Sequence, residues 1–303
     1  MHDRHPLIGS DIAVRGIRLH VVDRGSPGRR KADKPTVLFL HGIPTTGYLW
    51  HDEVRDLEQH YRCVVPDLVG LGDSESPQDK AAYGMNQQAQ TMLALLDHLG
   101  IDDVLVAGHD IGGTIAVEMA GLAPERIRGL ALLSPLLHDD MWPARSALPF
   151  TLPIVGEASL LALQRVPGVG EQSLRRTLDA DLPDAELHQY LAPIRTGSGG
   201  QGLLRVFRAI DPAGAQAVLP ALGDIPTLLL WGEKDPIHPV SYGQLCRDDL
   251  PAAQWVTVSG GGHLLPTRAP QRVAEELTAF FADALATVRA YDEDLPDEDP
   301  ASS

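Results

Sequence analysis

Val104-Leu105-Val106-Ala107-Gly108-His109-Asp110-Ile111-Gly112-Gly113 opens as a short apolar run and closes on small residues ahead of an amphipathic stretch. The run has the length and β-branched composition of a buried parallel strand, and the stretch after it has helical periodicity. Strand, sharp turn and helix therefore follow in that order. In Gly108-x-Asp110-x-Gly112 the small residues on either side let the backbone turn tightly, which pushes the middle side chain out above the sheet. This is the pattern that displays a nucleophile, and the displayed residue here is an aspartate instead of the more familiar serine.

The carboxylate limits the chemistry. A serine alkoxide attacking acyl carbon gives an ester that water can cleave, whereas a carboxylate attacking the same carbon would give a mixed anhydride. A carboxylate is better suited to displacing a leaving group from sp3 carbon, which leaves an alkyl ester for a base-activated water to hydrolyse. Taken alone, Asp110 would also serve as the N-cap of the helix that follows, where Asp is favoured and the helix dipole attracts it. The rest of the chain decides between the two.

With 303 residues the chain is long enough to bury a large α/β core carrying an insertion. Its formal charge of -16 argues against a nucleic-acid or anionic-membrane partner, because phosphate binding needs clustered cations. No apolar run is long enough to span a bilayer and Met1-His2-Asp3-Arg4-His5 lacks an apolar signal core, so a cytoplasmic protein is expected. The acidic, proline-containing end, residues 291–303, is expected to be a disordered tail. Cys63 and Cys246 fit neither a disulfide scaffold nor a clustered zinc site and read as buried thiols.

Outward from the elbow, strand-like and helix-like stretches alternate. Two short strands are expected within residues 7–23, followed by a basic loop from Arg24 to Pro35 that reads as a solvated hairpin tip. Thr36 to Leu40 is a strand running into His41-Gly42-Ile43-Pro44, which places the Ile43 amide at the carboxyl edge of the sheet, where open α/β folds collect ligands. With the Ile111 amide it is positioned to form an oxyanion hole. Further strands are expected at Arg62 to Asp67, Gly129 to Ser134, Pro226 to Trp231 and Gln254 to Val258, and helices at Met85 to Leu99, Gly112 to Leu122, Val240 to Leu250 and Ala269 to Arg289. The glycine-rich loop Leu68 to Ser74 has no following lysine and reads as a structural turn. Between residues 135 and 221 the rhythm breaks into prolines, helical pieces such as Gln172 to Leu178, and a Thr196 to Gly202 segment that reads as a flexible loop. That region is expected to be a helical lid inserted in a core of residues 1–134 and 222–290, with the active site between them.

Asp110, Asp235 and His263 each fall just past an expected strand, so all three gather along the carboxyl edge of a mostly parallel sheet. The chain order nucleophile, acid, histidine and the motifs His41-Gly42-x-Pro44, Gly108-His109-Asp110-x-Gly112-Gly113, Gly232-x-x-Asp235 and Gly262-His263 resemble the α/β-hydrolase superfamily. The aspartate in the elbow narrows the resemblance to the branch holding epoxide hydrolases, haloalkane dehalogenases and haloacetate dehalogenases. The stretches Pro44 to Trp50 and Pro66 to Ser74 look most like the haloalkane dehalogenases. The resemblance implies Asp110 as nucleophile, His263 as the base that activates water, Asp235 as its partner, and backbone amides of Ile43 and Ile111 on the developing oxyanion. It implies no metal or organic cofactor, and water and a small apolar organic molecule as substrates of a monomer or homodimer.

Two departures bear on the leaving group. Haloalkane dehalogenases usually hold the halide with a tryptophan after the nucleophile and often an asparagine in the His-Gly-x-Pro loop, and here those positions are Ile111 and Ile43. Haloacetate dehalogenases usually carry an arginine after the nucleophile, which Ile111 does not replace. Epoxide hydrolases need an acid in the lid, usually two tyrosines, and the lid region holds one, Tyr190. Trp142, His138 and His188 are the other donor candidates, while His41, His109 and His238 read as structural. Epoxide hydrolysis is thus the first expectation and haloalkane dehalogenation the alternative. A ligand-binding or biosynthetic member of the fold, and an esterase using Ser74 or Ser134, are rivals from other classes.

Overall fold

Runs such as Thr36–Leu40 and Val104–His109 are apolar on both sides of the pleat, which suits strands covered on both faces by helices. In the computed structural model they are the buried middle of a sheet, and the structure describes residues 7–25, 34–142, 144–178, 181–223 and 225–294. The strands are β1 (Ser10–Val14), β2 (Ile17–Arg24), β3 (Thr36–Leu40), β4 (Arg62–Pro66), β5 (Val104–His109), β6 (Ile127–Leu133), β7 (Thr227–Gly232) and β8 (Gln254–Val258), in the spatial order β1-β2-β4-β3-β5-β6-β7-β8. β1 and β2 pair antiparallel, as do β2 and β4, and every later pairing is parallel. The carboxyl ends of β3, β5, β7 and β8 therefore open on one edge.

Helices α1 (His51–Leu57), α2 (Met85–His98), α3 (Ile111–Leu122), α10 (Val240–Asp249) and α12 (Pro270–Asp294) cover the sheet, with the short α11 (Leu265–Arg268) leading into α12. α3 is buried along nearly its whole length, packed on β5 and α2, while α12 packs on α1 and β6. Aromatic contacts bind these layers: Phe39 meets Trp50 at 5.3 Å and Tyr61 meets Phe281 at 5.8 Å between ring centres. Cys63 and Cys246 are free thiols inside this core, and burial pushes each up to about 12. The turn after β4 is fastened by Asp67, which accepts from the amides of Gly47 and Asp73.

Residues between β6 and β7 fold as α4 (Leu148–Thr151), α5 (Val155–Arg165), α6 (Val169–Thr177), α7 (Asp184–Ile194), α8 (Gly197–Ala209) and α9 (Ala213–Val218), with no strand among the described residues. The glycine-rich segment expected to be a flexible loop is the first turns of α8. Thr196 caps it, its hydroxyl accepting from the Gly199 amide at 3.0 Å, and the glycines allow close packing: a Cβ on Gly202 would stand 2.2 Å from the Gly70 carbonyl. α12 also runs past the expected stop at Arg289, since the first proline after it is Pro296. The expected tail thus begins inside a helix, and residues 295–303, like 26–33 of the basic loop, lie outside the described residues. No described helix is long and apolar enough to cross a membrane.

Candidate active site

Asp110 sits between β5 and α3 with φ 53° and ψ −122°, a region that a non-glycine residue holds only when its surroundings fix it. The flanking glycines make room for the turn. A Cβ on Gly108 would lie 2.6 Å from the Gly112 carbonyl oxygen, and one on Gly112 would lie 2.3 Å from that of Leu40. The Asp110 side chain makes no capping bond to α3. It points back across the sheet edge instead, where Oδ2 accepts from the Ile43 amide at 2.9 Å. Gly42 permits that approach, because a Cβ there would come within 2.7 Å of the same oxygen.

His263, after β8, donates from Nδ1 to Asp235 Oδ2 at 2.9 Å. The other oxygen, Oδ1, accepts the Ile237 and His238 amides at 2.8 Å each, which fixes the carboxylate on the loop after β7. With its hydrogen on Nδ1, His263 keeps Nε2 as an acceptor. Burial alone would lower the basicity of His263; the charges of Asp235 and Asp110 and the Asp235 hydrogen bond outweigh it, so its pKa is raised. Asp235 moves the opposite way. Burial works against its charge, but His263, His238 and the hydrogen bonds hold it below the ordinary carboxylate range. Behind the pair, His109 Nε2 meets the His263 carbonyl at 2.9 Å, and His41 accepts from the Leu68 amide at 3.0 Å. Ile111 is buried in the first turn of α3, beside the Asp110 backbone.

Ile43, Asp110 and His263 floor a cleft enclosing about 60 Å³ whose walls come from the helical insertion, among them Trp142, Phe150, Leu174, Leu191 and Phe207. Phe207 stacks with Phe150 at 5.0 Å and with Trp142 at 6.1 Å. Of the expected lid donors, Trp142 alone lines this cleft. α7 turns Leu191 and Ile194 toward it, and Tyr190, one position round the helix from Leu191, is buried instead near Thr267 and Glu53, where burial pushes its phenol up. His138 pairs with Asp249 of α10 at 3.0 Å, and His188 is exposed. Neither Ser74 nor Ser134 lines the cleft.

His238, read from sequence as structural, lies on the cleft floor. Its Nδ1 meets the Ser134 carbonyl at 2.9 Å, its Nε2 is 3.9 Å from Asp110 Oδ1, and its ring stands edge-on to His263 at 5.0 Å. The one signal for it in the sequence is the spacing Asp235-x-x-His238, since a carboxylate that gathers the amides two and three residues on folds the chain back toward the sheet edge.

Comparison with known proteins agrees with this fold. Residues 35–157 match the family described as alpha/beta hydrolase fold, and residues 208–289 match the family described as TAP-like protein. The chain is 28% identical over 284 residues to haloalkane dehalogenase 2 of Mycobacterium tuberculosis, covering 87% of this chain and 91% of that one. It is 28% identical over 318 residues to an epoxide hydrolase of Caballeronia sordidicola, covering 89% and 92%. The crystal structure of a haloalkane dehalogenase from Bradyrhizobium elkani superposes with a TM-score of 0.77 at 26% identity, over 92% of this chain and 98% of that one. The chain has the α/β-hydrolase fold and is a hydrolase, similar along most of its length to haloalkane dehalogenases and epoxide hydrolases.

Proposed function

We propose that the chain hydrolyses an epoxide of a small apolar molecule through an alkyl ester on Asp110, with no cofactor in the step. The observation that carries this reading is the different setting of the two Asp110 oxygens. Oδ2 is held by the Ile43 amide, while Oδ1 accepts no hydrogen bond among the described residues. Oδ1 attacks the ring carbon, the carbon–oxygen bond breaks, and the released oxygen takes a proton to give a hydroxyalkyl ester. Oδ2 becomes the ester carbonyl oxygen. His263 Nε2 then takes a proton from water as the water attacks the ester carbon, and Asp235 balances the imidazolium. The oxyanion forms on Oδ2, where the Ile43 N–H already points, with the Ile111 N–H as the second donor. Collapse returns the proton to the departing oxygen and frees a diol.

The leaving group separates this reading from its nearest rival. A departing halide needs N–H donors, and Ile43 and Ile111 offer none from their side chains. An opening epoxide needs a proton; His238 Nε2 stands 3.9 Å from Asp110 Oδ1 and supplies one only as the imidazolium, which burial and the neighbouring His263 disfavour by lowering the His238 pKa. Trp142 supports the second reading, hydrolytic carbon–halogen cleavage, because its indole N–H belongs to a residue of the cleft wall.

Intact-protein mass spectrometry of His263→Gln, after exposure to epoxides and haloalkanes, tests both. Without its base the protein stalls at the ester. Gain of the whole substrate mass is the expected result, gain of the substrate less HX means dehalogenation, and no adduct across a broad panel with the fold intact overturns the ester mechanism.

A further inference from the structure

His238 and His263 present matching ends to Asp110. In each ring Nδ1 is tied to an acceptor, Asp235 Oδ2 for His263 and the Ser134 carbonyl for His238, each at 2.9 Å. Nδ1 therefore holds the hydrogen in both neutral rings, and Nε2 offers a lone pair. A carboxylate or backbone carbonyl behind one ring nitrogen is the arrangement that orients metal-binding histidines and raises their basicity. One ligand atom from each of Asp110, His238 and His263 lies within 4.8 Å of the other two, and all three residues are buried.

We propose that these three residues bind a divalent first-row transition metal, with Zn²⁺ as the type ion, and that the bound metal excludes ester formation. Two imidazoles and a carboxylate suit zinc, copper or nickel, whereas Mg²⁺ and Ca²⁺ prefer sets made of oxygen. Zinc bonds of about 2.0–2.2 Å place tetrahedral ligand atoms about 3.3 Å apart. From 3.9 Å between His238 and Asp110, and at most 4.8 Å within the set, each separation closes by no more than about 1.5 Å. The fourth position faces the cleft that all three residues line, which leaves it to water or a ligand heteroatom. A coordinated Asp110 oxygen has its attacking lone pair engaged, and His263 Nε2 no longer accepts a proton. The site rests on geometry alone; only the exclusion rests on the ester reading.

Calorimetric titration of the metal-free whole chain with ZnCl2, beside MgCl2, tests the site in the wild type, His238→Leu and Asp110→Ala. Expected are one high-affinity zinc per chain, no magnesium binding, and at least about 100-fold weaker zinc in each folded variant, since loss of even an outer partner costs about 10–100-fold. Circular dichroism establishes which variants fold, and Co²⁺ substituted for zinc gives visible absorption bands in the wild type that the variants lack. Equal zinc binding by the wild type and both folded variants assigns the ion to surface histidines and overturns the proposal, as does a wild type that takes up no zinc. Zinc uptake without any substrate adduct leaves the site standing and removes the ester reading, and adduct formation without zinc uptake does the reverse.

Discussion

Asp235 illustrates how one side chain sets the state of another. Two backbone amides occupy Oδ1, so Oδ2 is committed to the His263 Nδ1–H and the ring presents one tautomer to the cleft. Asp235→Asn keeps the shape but loses the charge, and its amide group favours the other tautomer. On a substrate that forms the adduct, kcat falls by about 10⁴, the loss that the same exchange causes in a serine triad, with KM little changed. Steady-state kinetics check this, and a loss below tenfold would mean that Asp235 does not orient the base. Asp110, Asp235 and His263 were legible because each follows a strand and sheet topology alone carries such residues to one edge. His238 was not, because its meeting with Asp110 depends on how tightly the turn after Asp235 closes. The place of Tyr190 away from the cleft lining was not legible for a related reason: one residue on a helix is about 100° of rotation, and periodicity without a known neighbour does not say which face meets the cleft.

At the scale of elements, glycine has two opposite meanings that composition does not separate. In the elbow the pattern around Asp110 made the glycines readable as room for close backbone approach. In α8 the same residue type read as flexibility, although Gly200 and Gly202 are packing positions, where an added Cβ would meet Gln164 and the Gly70 loop within 2.2 Å. Gly202→Ala distinguishes the meanings by sign. In a flexible loop the change stabilises by about 0.4–1 kcal/mol through the unfolded chain, and helix propensity adds a gain of similar size. Against the Gly70 backbone carbonyl, which has no flexible end to swing aside, overpacking costs about 1–3 kcal/mol. The clash wins, and Tm falls by a few degrees, about 2–4 °C per kcal/mol. A rise in Tm would return residues 197–202 to the flexible reading.

Across the whole molecule, two of the surfaces on which the helical insertion meets the sheet domain are unlike, the apolar cleft over Asp110 and a buried polar seam where Tyr190 of α7 approaches Glu53 of α1. Glu53 is fully buried, and burial drives its pKa well above the ordinary value of 4.5; Asp52 and Asp56 push the same way, and its own amide and Arg55 only partly offset them. The folded chain therefore binds this proton more tightly than the unfolded chain does. Between 4.5 and the raised value the native state carries the extra proton, so the contribution of Glu53 to stability is complete below 4.5 and is lost as pH rises through the folded pKa. His41 slopes the other way. Burial lowers its pKa below 6.5, so its contribution is present above 6.5 and is lost on acidification. Glu53→Gln removes the first slope and leaves the second. The variant keeps the shape of the seam but never has to ionise there, so its Tm rises relative to the wild type as pH climbs from 5 to 8. Thermal denaturation across that range reads the difference directly: a gap that widens with pH places the protonated acid in the seam, and a gap that stays constant means Glu53 titrates in the fold as it does in water.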